Sequence, residues 1–231
     1  MSTNMRKTKI ICTLGPATDK GDVLEQLILN GMDVARFNFS HGSHEEHKKR
    51  MDHLKALREK HDIPVAALLD TKGPEIRIGT FKDGSISLKR GQKFCLTARE
   101  VEGSQDMVSI TYKNLPEEVR PGTAILIDDG LIAMTVESIE GSDIHCKVEN
   151  GGKISDRKGV NVPGIELKIP YLSEKDKEDV IFGIEQGFDF IAASFVRTAD
   201  DILEIRDILS SHNCNFINII AKIENMQGVE N

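Results

Sequence analysis

The sequence predicts an α/β fold: part of a (β/α)8 barrel of the TIM type, interrupted by an inserted all-β module that reads as a small barrel. Three observations predict it. Apolar, β-branched runs alternate with capped, helix-period stretches toward both ends of the chain, the signature of parallel βαβ units. From Glu75 to about Gly159 the helical period vanishes and short β-type runs take over. Three of the strand-like runs end in polar or charged side chains, and the C-terminal strand ends are where barrel enzymes gather their chemistry.

Thr8–Leu14 reads as a first strand, stopped by Gly15-Pro16. Thr18 or Asp19 can cap a helix running to about Asn30, with Gly31 just past its end. Asp33–Phe39 is the second strand. Ser43 with Glu46 forms a capping box for a helix through about Lys60, and Val65–Asp70 is the third strand. The inserted strands are Ile76–Phe81, Ser85–Leu88, Lys93–Thr97, Met107–Thr111, Ala124–Ile127, Ile132–Ile139 and Asp143–Val148. Asp83-Gly84, Asp129-Gly130 and Gly151-Gly152 supply turns between them. Ser173 with Asp176 then caps a helix ended by Gly187, Phe188–Phe195 is a strand, Thr198 with Asp201 caps the next helix, and Phe216–Glu224 is a last buried-type strand. The expected domains are 1–70 and 171–231, forming the barrel, with 71–170 inserted and hinged at Thr71–Pro74 and Val162–Pro170. About five parallel strands are present where a closed barrel needs eight, so the chain is expected to be truncated.

Composition narrows the function. The 231 residues are 39% hydrophobic and 29% charged, ordinary for a globular protein. A net charge of −7 with scattered Lys and Arg argues against nucleic-acid binding. No apolar run approaches the ~20 residues of a membrane span, and Met1–Lys7 carries no cleavable signal, so a cytoplasmic protein without membrane partners is expected. Cys12, Cys95, Cys146 and Cys214 are widely spaced and read as reduced structural thiols.

Alternation in a strand puts Arg36, Asn38 and Ser40 on one face, against Ala35, Phe37 and Phe39 on the other. It likewise puts Lys222 and Glu224 together, opposite Ile219, Ala221 and Ile223. A strand that simply stops at Ala221, leaving both charges in water, is the bland alternative. It loses weight because the same pattern recurs at Arg36–Ser40 and at Asp70. Arg36, Arg77, Arg157, Lys158 and Lys222 are candidate phosphate-binding cations. Glu224 and Asp70 are candidate cation ligands, with neutral oxygens from Asn38, Ser40 and Thr71. The string Ser43-His44-Glu45-Glu46-His47 fits no zinc pattern and reads as a solvated first helical turn. Gly151-Gly152-Lys153 lacks the remainder of a P-loop.

Seven segments in order, TKIICTLGPAT (8–18), GMDVARFNFSHG (31–42), LLDTKGPEIR (68–77), RKGVNVPG (157–164), LSEKDKEDV (172–180), DFIAASFVR (189–197) and IIAKIENMQGVEN (219–231), closely resemble the pyruvate kinase family. The resemblance spans essentially the whole chain and implies transfer of a phosphoryl group from phosphoenolpyruvate to ADP in glycolysis. It implies that Lys222 neutralises charge in the transition state, Arg36 contacts phosphate and substrate, and Arg77 and Lys158 contact nucleotide phosphates. It implies Mg²⁺ (or Mn²⁺) on Glu224 and K⁺ held by Asn38, Ser40, Asp70 and Thr71, with Glu75 the residue usual in K⁺-dependent members. The family's remaining strands, its second metal-binding carboxylate, its enolate-protonating threonine and its C-terminal domain have no counterpart in the sequence. A truncated portion, inactive alone and homo-oligomeric (a tetramer in the family) when full length, is therefore expected. The alternatives are a non-catalytic fragment that binds nucleotide or a partner chain and, more distantly, a barrel aldolase using Lys222 as a Schiff base.

Overall fold

The computed structural model describes residues 7–165 and 167–231. The expectation placed on Met1–Arg6, and residue 166 of the second linker, lie outside the described residues. The chain forms two compact units, one holding the chain up to Pro74 together with Tyr171–Asn231, the other Glu75–Pro170.

In chain order, the first unit begins β1 (Ile11–Leu14), α1 (Val23–Leu29), β2 (Val34–Asn38), α2 (His44–His61) and β3 (Ala66–Asp70). The second unit contains β4 (Ile76–Arg77), β5 (Ser85–Leu88), β6 (Lys93–Thr97), β7 (Met107–Ser109), α3 (Leu115–Glu118), β8 (Ala124–Ile127), β9 (Ile132–Glu140), β10 (Asp143–Asn150), β11 (Gly152–Ser155) and β12 (Gly159–Asn161). The first unit then resumes with α4 (Glu174–Gln186), β13 (Phe190–Ala193), α5 (Ala199–Ser211), β14 (Asn218–Ala221) and α6 (Met226–Glu230).

The first unit is an α/β layer structure whose sheet runs β1-β2-β3-β13-β14, parallel throughout. The strand register sets Asp70 opposite Asn38 on one side and Ala192 on the other. Alternation along β2 buries Ala35 and Phe37 against the helices and leaves Arg36 and Asn38 half-buried on the opposite face, as read from the sequence. Leu24 and Ile28 of α1, Met51, Leu54 and Leu57 of α2, Val180 of α4 and Ile205 and Leu209 of α5 complete the core. Two of the three expected capping pairs, Ser43/Glu46 and Ser173/Asp176, form full capping boxes, and Gly187 ends α4 in the left-handed conformation at φ +71°. At α5 the Asp201 carboxylate accepts from the Thr198 N–H at 3.1 Å.

Three expectations are corrected. The first helix starts at Val23, not at Thr18 or Asp19, because both candidate caps are occupied elsewhere. Thr18 closes a turn with Gly15, donating to its carbonyl (2.9 Å) and accepting from its N–H (3.0 Å), while Asp19 pairs with Arg50. The last strand stops at Ala221 and forms an exposed sheet edge with one neighbour, so it is neither buried nor as long as its apolar residues suggested. The second unit holds two strands, β11 and β12, and a short helix, α3, that turn signals hid. Gly151 is required there, since a Cβ would lie 2.4 Å from the Leu88 carbonyl oxygen.

The second unit is a seven-stranded sheet, β4-β12-β8-β9-β10-β6-β7, with β11 and β5 paired separately. It has its own apolar core, including Phe94, Leu96, Ile125, Ile127, Met134, Ile144 and Val148. All four cysteines are free; burial pushes Cys95 up to about 11 and Cys146 up to about 12, the setting of inert thiols. Among the described residues no helix is long and apolar enough to cross a membrane.

His47, expected to be solvated, is instead 3% exposed. It stacks on Phe39 with centroids 4.2 Å apart, and its Nε2–H donates to the His41 carbonyl at 2.9 Å. Burial depresses its pKa, and the neighbouring Arg50 and His44 reinforce this against Asp179 and the His41 carbonyl, which oppose it. The unfolded chain takes up this proton near the ordinary pKa of about 6.5 and the folded chain only at lower pH. Unfolding is therefore favoured increasingly as pH falls below about 6.5. Chemical denaturation across pH 5–8 should show that slope, and His47→Gln should reduce it.

Candidate active site

The polar cluster of the first unit sits at the C-terminal ends of the parallel strands, and Asp70 is its hub. Asp70 is the last residue of β3 and its side chain is only 4% exposed. A buried carboxylate must be paired, and this one is. Oδ2 accepts from Arg36 through Nε (2.7 Å) and Nη2 (2.5 Å). Oδ1 accepts from Lys222 Nζ at 3.1 Å. Arg36 Nη1 also donates to Thr13 Oγ1 at 2.8 Å.

Lys222 and Glu224 lie beyond the end of β14, as the bland alternative required, but they are not left to water. Lys222 Nζ reaches across to Asp70 on β3, donates to Ser194 Oγ (2.8 Å) and lies 3.4 Å from Glu224 Oε1. Glu224 Oε2 accepts from the Phe195 N–H at 2.9 Å. Phe195 is left-handed, with φ +56°, which a bulky residue adopts only when its surroundings impose it. Asn225 Nδ2 also holds this turn, donating to the carbonyls of Phe195 and Val196.

Ser194, which sequence reasoning missed, is the second hub. Buried just past β13, it sends its hydroxyl proton to the Thr71 carbonyl at 2.6 Å, while its N–H donates to Thr71 Oγ1 at 3.0 Å. The signal was present: a hydroxyl directly after an apolar strand, the same mark that singled out Asp70. Gly73, at φ +70°, lets the chain pass close by, since a Cβ there would be 2.8 Å from the Ser194 carbonyl oxygen.

The structure thus joins Arg36, Asp70, Thr71, Lys222 and Glu224 in one network, with Asn38 adjacent by register and Ser40 bonded to it through Asn38 Oδ1 (3.0 Å). One carboxylate with amide, hydroxyl and carbonyl oxygens is a donor set suited to a large monovalent cation. Asp70 already meets Arg36 twice, Lys222 once and, at 3.2 Å, the Ser194 hydroxyl, so an ion there would share the Asp70 carboxylate with these partners. Glu224, partly exposed and held by one backbone N–H, could take a divalent ion. Among the described residues no group of three His, Cys, Asp or Glu is placed to hold a metal.

Arg77 and Lys158 lie in the second unit. Arg77 is opposite Gly159 in the β4–β12 pair, bonded to Glu75 Oε2 (Nε 2.8 Å) and to the Arg157 carbonyl (2.7 Å). Lys158 pairs with Asp128 at 2.9 Å. Arg157 is left-handed at φ +57° and belongs to the turn before β12.

A family model described as the pyruvate kinase barrel domain matches residues 5–231 of this fold. The chain belongs to the pyruvate kinase family. The pyruvate kinases of Staphylococcus aureus strains USA300 and MRSA252 are each 50% identical to it over 229 residues, 98% of this chain. The chain spans 39% of the length of each of these relatives. The pyruvate kinase barrel match extends across both units, and all seven segments of the sequence resemblance lie within it.

Proposed function

We propose that this chain supplies the phosphoryl-binding part of a pyruvate kinase that transfers a phosphoryl group from phosphoenolpyruvate to ADP in the cytoplasm, and that these 231 residues are inactive without the remainder of such an enzyme. The observation that carries the reading is the convergence of Arg36 and Lys222 on one buried carboxylate at the C-terminal edge of a parallel sheet. Phosphoryl transfer asks for positioning and charge stabilisation more than covalent chemistry. Two cations fixed in advance provide this without reorganisation during the reaction.

Lys222 has three N–H donors, directed to Asp70, Ser194 and, least closely, Glu224. An arriving phosphoryl oxygen displaces the Glu224 contact first, which leaves Lys222 anchored while it meets the developing negative charge. Arg36 offers its planar fork to the same group, oriented by Asp70 and Thr13. Mg²⁺ or Mn²⁺ on Glu224 would neutralise substrate oxygens, and K⁺ among Asn38, Ser40, Asp70 and Thr71 would add positive charge nearby. Arg77 and Lys158 bind the nucleotide phosphates, and residues 75–170 act as the inserted lid domain that excludes water. As part of a longer protein the chain is a homo-oligomer. A Schiff-base role for Lys222 has less support, since imine-forming lysines sit in apolar or cation-flanked sites and this one faces Asp70 and Glu224.

The test is a chimaera in which this chain replaces the matching segment of the S. aureus enzyme, assayed for pyruvate from phosphoenolpyruvate and ADP. Turnover that depends on Lys222 supports the reading. Full turnover with Lys222→Ala refutes the role given to that lysine.

A further inference from the structure

The histidine-rich string after β2, which matched no metal motif, is used structurally in a way that bears on the proposed K⁺ site. Asp179 of α4 is completely buried, with its side chain 0% exposed. Its Oδ2 accepts from Lys175 Nζ one turn earlier (2.5 Å), and its Oδ1 lies 2.6 Å from His44 Nε2 at the start of α2. With Lys175 marking Asp179 as a carboxylate acceptor, Nε2 of His44 carries the proton. The His44 ring stacks on Phe182, also of α4, with centroids 4.4 Å apart. Asp179 therefore staples the first turn of α2 to α4.

Lys175 has a second bond, which carries the consequence. Its Nζ donates to the Phe39 carbonyl at 3.3 Å. That carbonyl and the Ser40 N–H belong to one peptide group. Lys175 holds the oxygen of this peptide, and Asn38 Oδ1 takes its hydrogen at 3.0 Å. The orientation of the Asn38 amide and the placement of Ser40, two of the four oxygen donors, are thus set by one peptide plane fixed from α4. The loop is held on its other sides as well. The Phe39 N–H donates to the Asp70 carbonyl at 3.0 Å, and His47 fixes the His41 carbonyl at 2.9 Å. Gly42, at φ +83°, turns the chain where a Cβ would lie 3.0 Å from Glu46 Oε2.

We infer that Asp179, acting through Lys175 and His44, is a positioning residue that shapes the Asn38–Ser40 loop for a monovalent cation. The inference rests on the K⁺ site proposed above. Supporting partners one layer behind the ligands of an ion typically govern affinity by about 10–100-fold. A lysine that only paired with a carboxylate one turn away along its own helix would have no such effect; the peptide contact is what distinguishes Lys175.

The experiment is thermal unfolding of the 231-residue chain titrated with K⁺ against Na⁺ at constant ionic strength, with Tl⁺ binding followed by thallium NMR. A cation that binds the folded state raises the midpoint as its concentration passes its dissociation constant. Asp179→Asn should raise the half-saturating K⁺ concentration about tenfold. Lys175→Met, which leaves the His44–Asp179 bond in place and alters a half-exposed side chain, should shift it in the same direction if the first variant folds poorly. Variants that lower the midpoint but keep the wild-type K⁺ dependence would show a merely structural role and overturn the inference. A wild-type chain that answers K⁺ and Na⁺ alike and binds no Tl⁺ would overturn the K⁺ site itself, and the inference with it.

Discussion

Lys222→Ala in the S. aureus chimaera is expected to lower turnover for pyruvate formation by about a thousandfold or more, with a much smaller change in KM. Removing one preorganised donor from developing charge costs about 10²–10³ in rate, and cationic groups at phosphoryl transfer reach about 10³–10⁵. Lys222 lies in that upper range because it is fixed at three points, Asp70, Ser194 and Glu224, before substrate arrives. Lys222→Arg should recover little. The guanidinium is planar and broader than an ammonium, and Asp70 and Ser194 are spaced for a point charge. Steady-state kinetics at saturating Mg²⁺ and K⁺ separate the two effects, and a variant that loses affinity but keeps turnover would contradict the role.

The second large effect is on stability. Asp70→Ala removes the shared acceptor and leaves Arg36 and Lys222 facing each other across the space it filled. Breaking a fully buried ion pair costs about 3–5 kcal/mol. Here both cations keep about a third of their exposure and can turn partly to water, so about 2–3 kcal/mol is expected. For a chain of this size that lowers the unfolding midpoint by about 5–10 °C. Adding Lys222→Ala to Asp70→Ala should cost less than the sum of the two single changes, because the second removes a charge the first left unpaired. Additive losses would mean that Asp70 and Lys222 do not interact as the structure has them.

The parts of this site legible in the sequence were those that break a local pattern. Arg36 and Asn38 interrupt an apolar alternation in β2, and Asp70 ends an apolar run, so their placement came from strand periodicity alone. The capping boxes at Ser43 and Ser173 were legible for the same reason, since the residues that close them are three positions apart. Pairing between distant segments could not be read. Thr18 and Asp19 looked like caps until Gly15 and Arg50 claimed them. The end of β14 depended on its place at the sheet edge, which no property of Asn218–Glu224 reveals. Lys222 joins the polar cluster although its strand stops before it, because β13 and β3 bring Ser194 and Asp70 within its reach. Asp179 went unremarked because an aspartate on a polar helix is unexceptional until its burial and partners are known.

A ³¹P NMR titration of phosphoenolpyruvate with this chain, in the presence of Mg²⁺ and K⁺, probes the phosphoryl-binding cluster by itself, because turnover is not required. The expected result is a shifted or broadened phosphorus resonance that saturates at about millimolar chain, a binding free energy near about −4 kcal/mol, and that loses its response with Lys222→Ala. A resonance unmoved by the folded wild-type chain, or moved equally by Lys222→Ala, would contradict the claim that Arg36, Asp70 and Lys222 form a phosphoryl site.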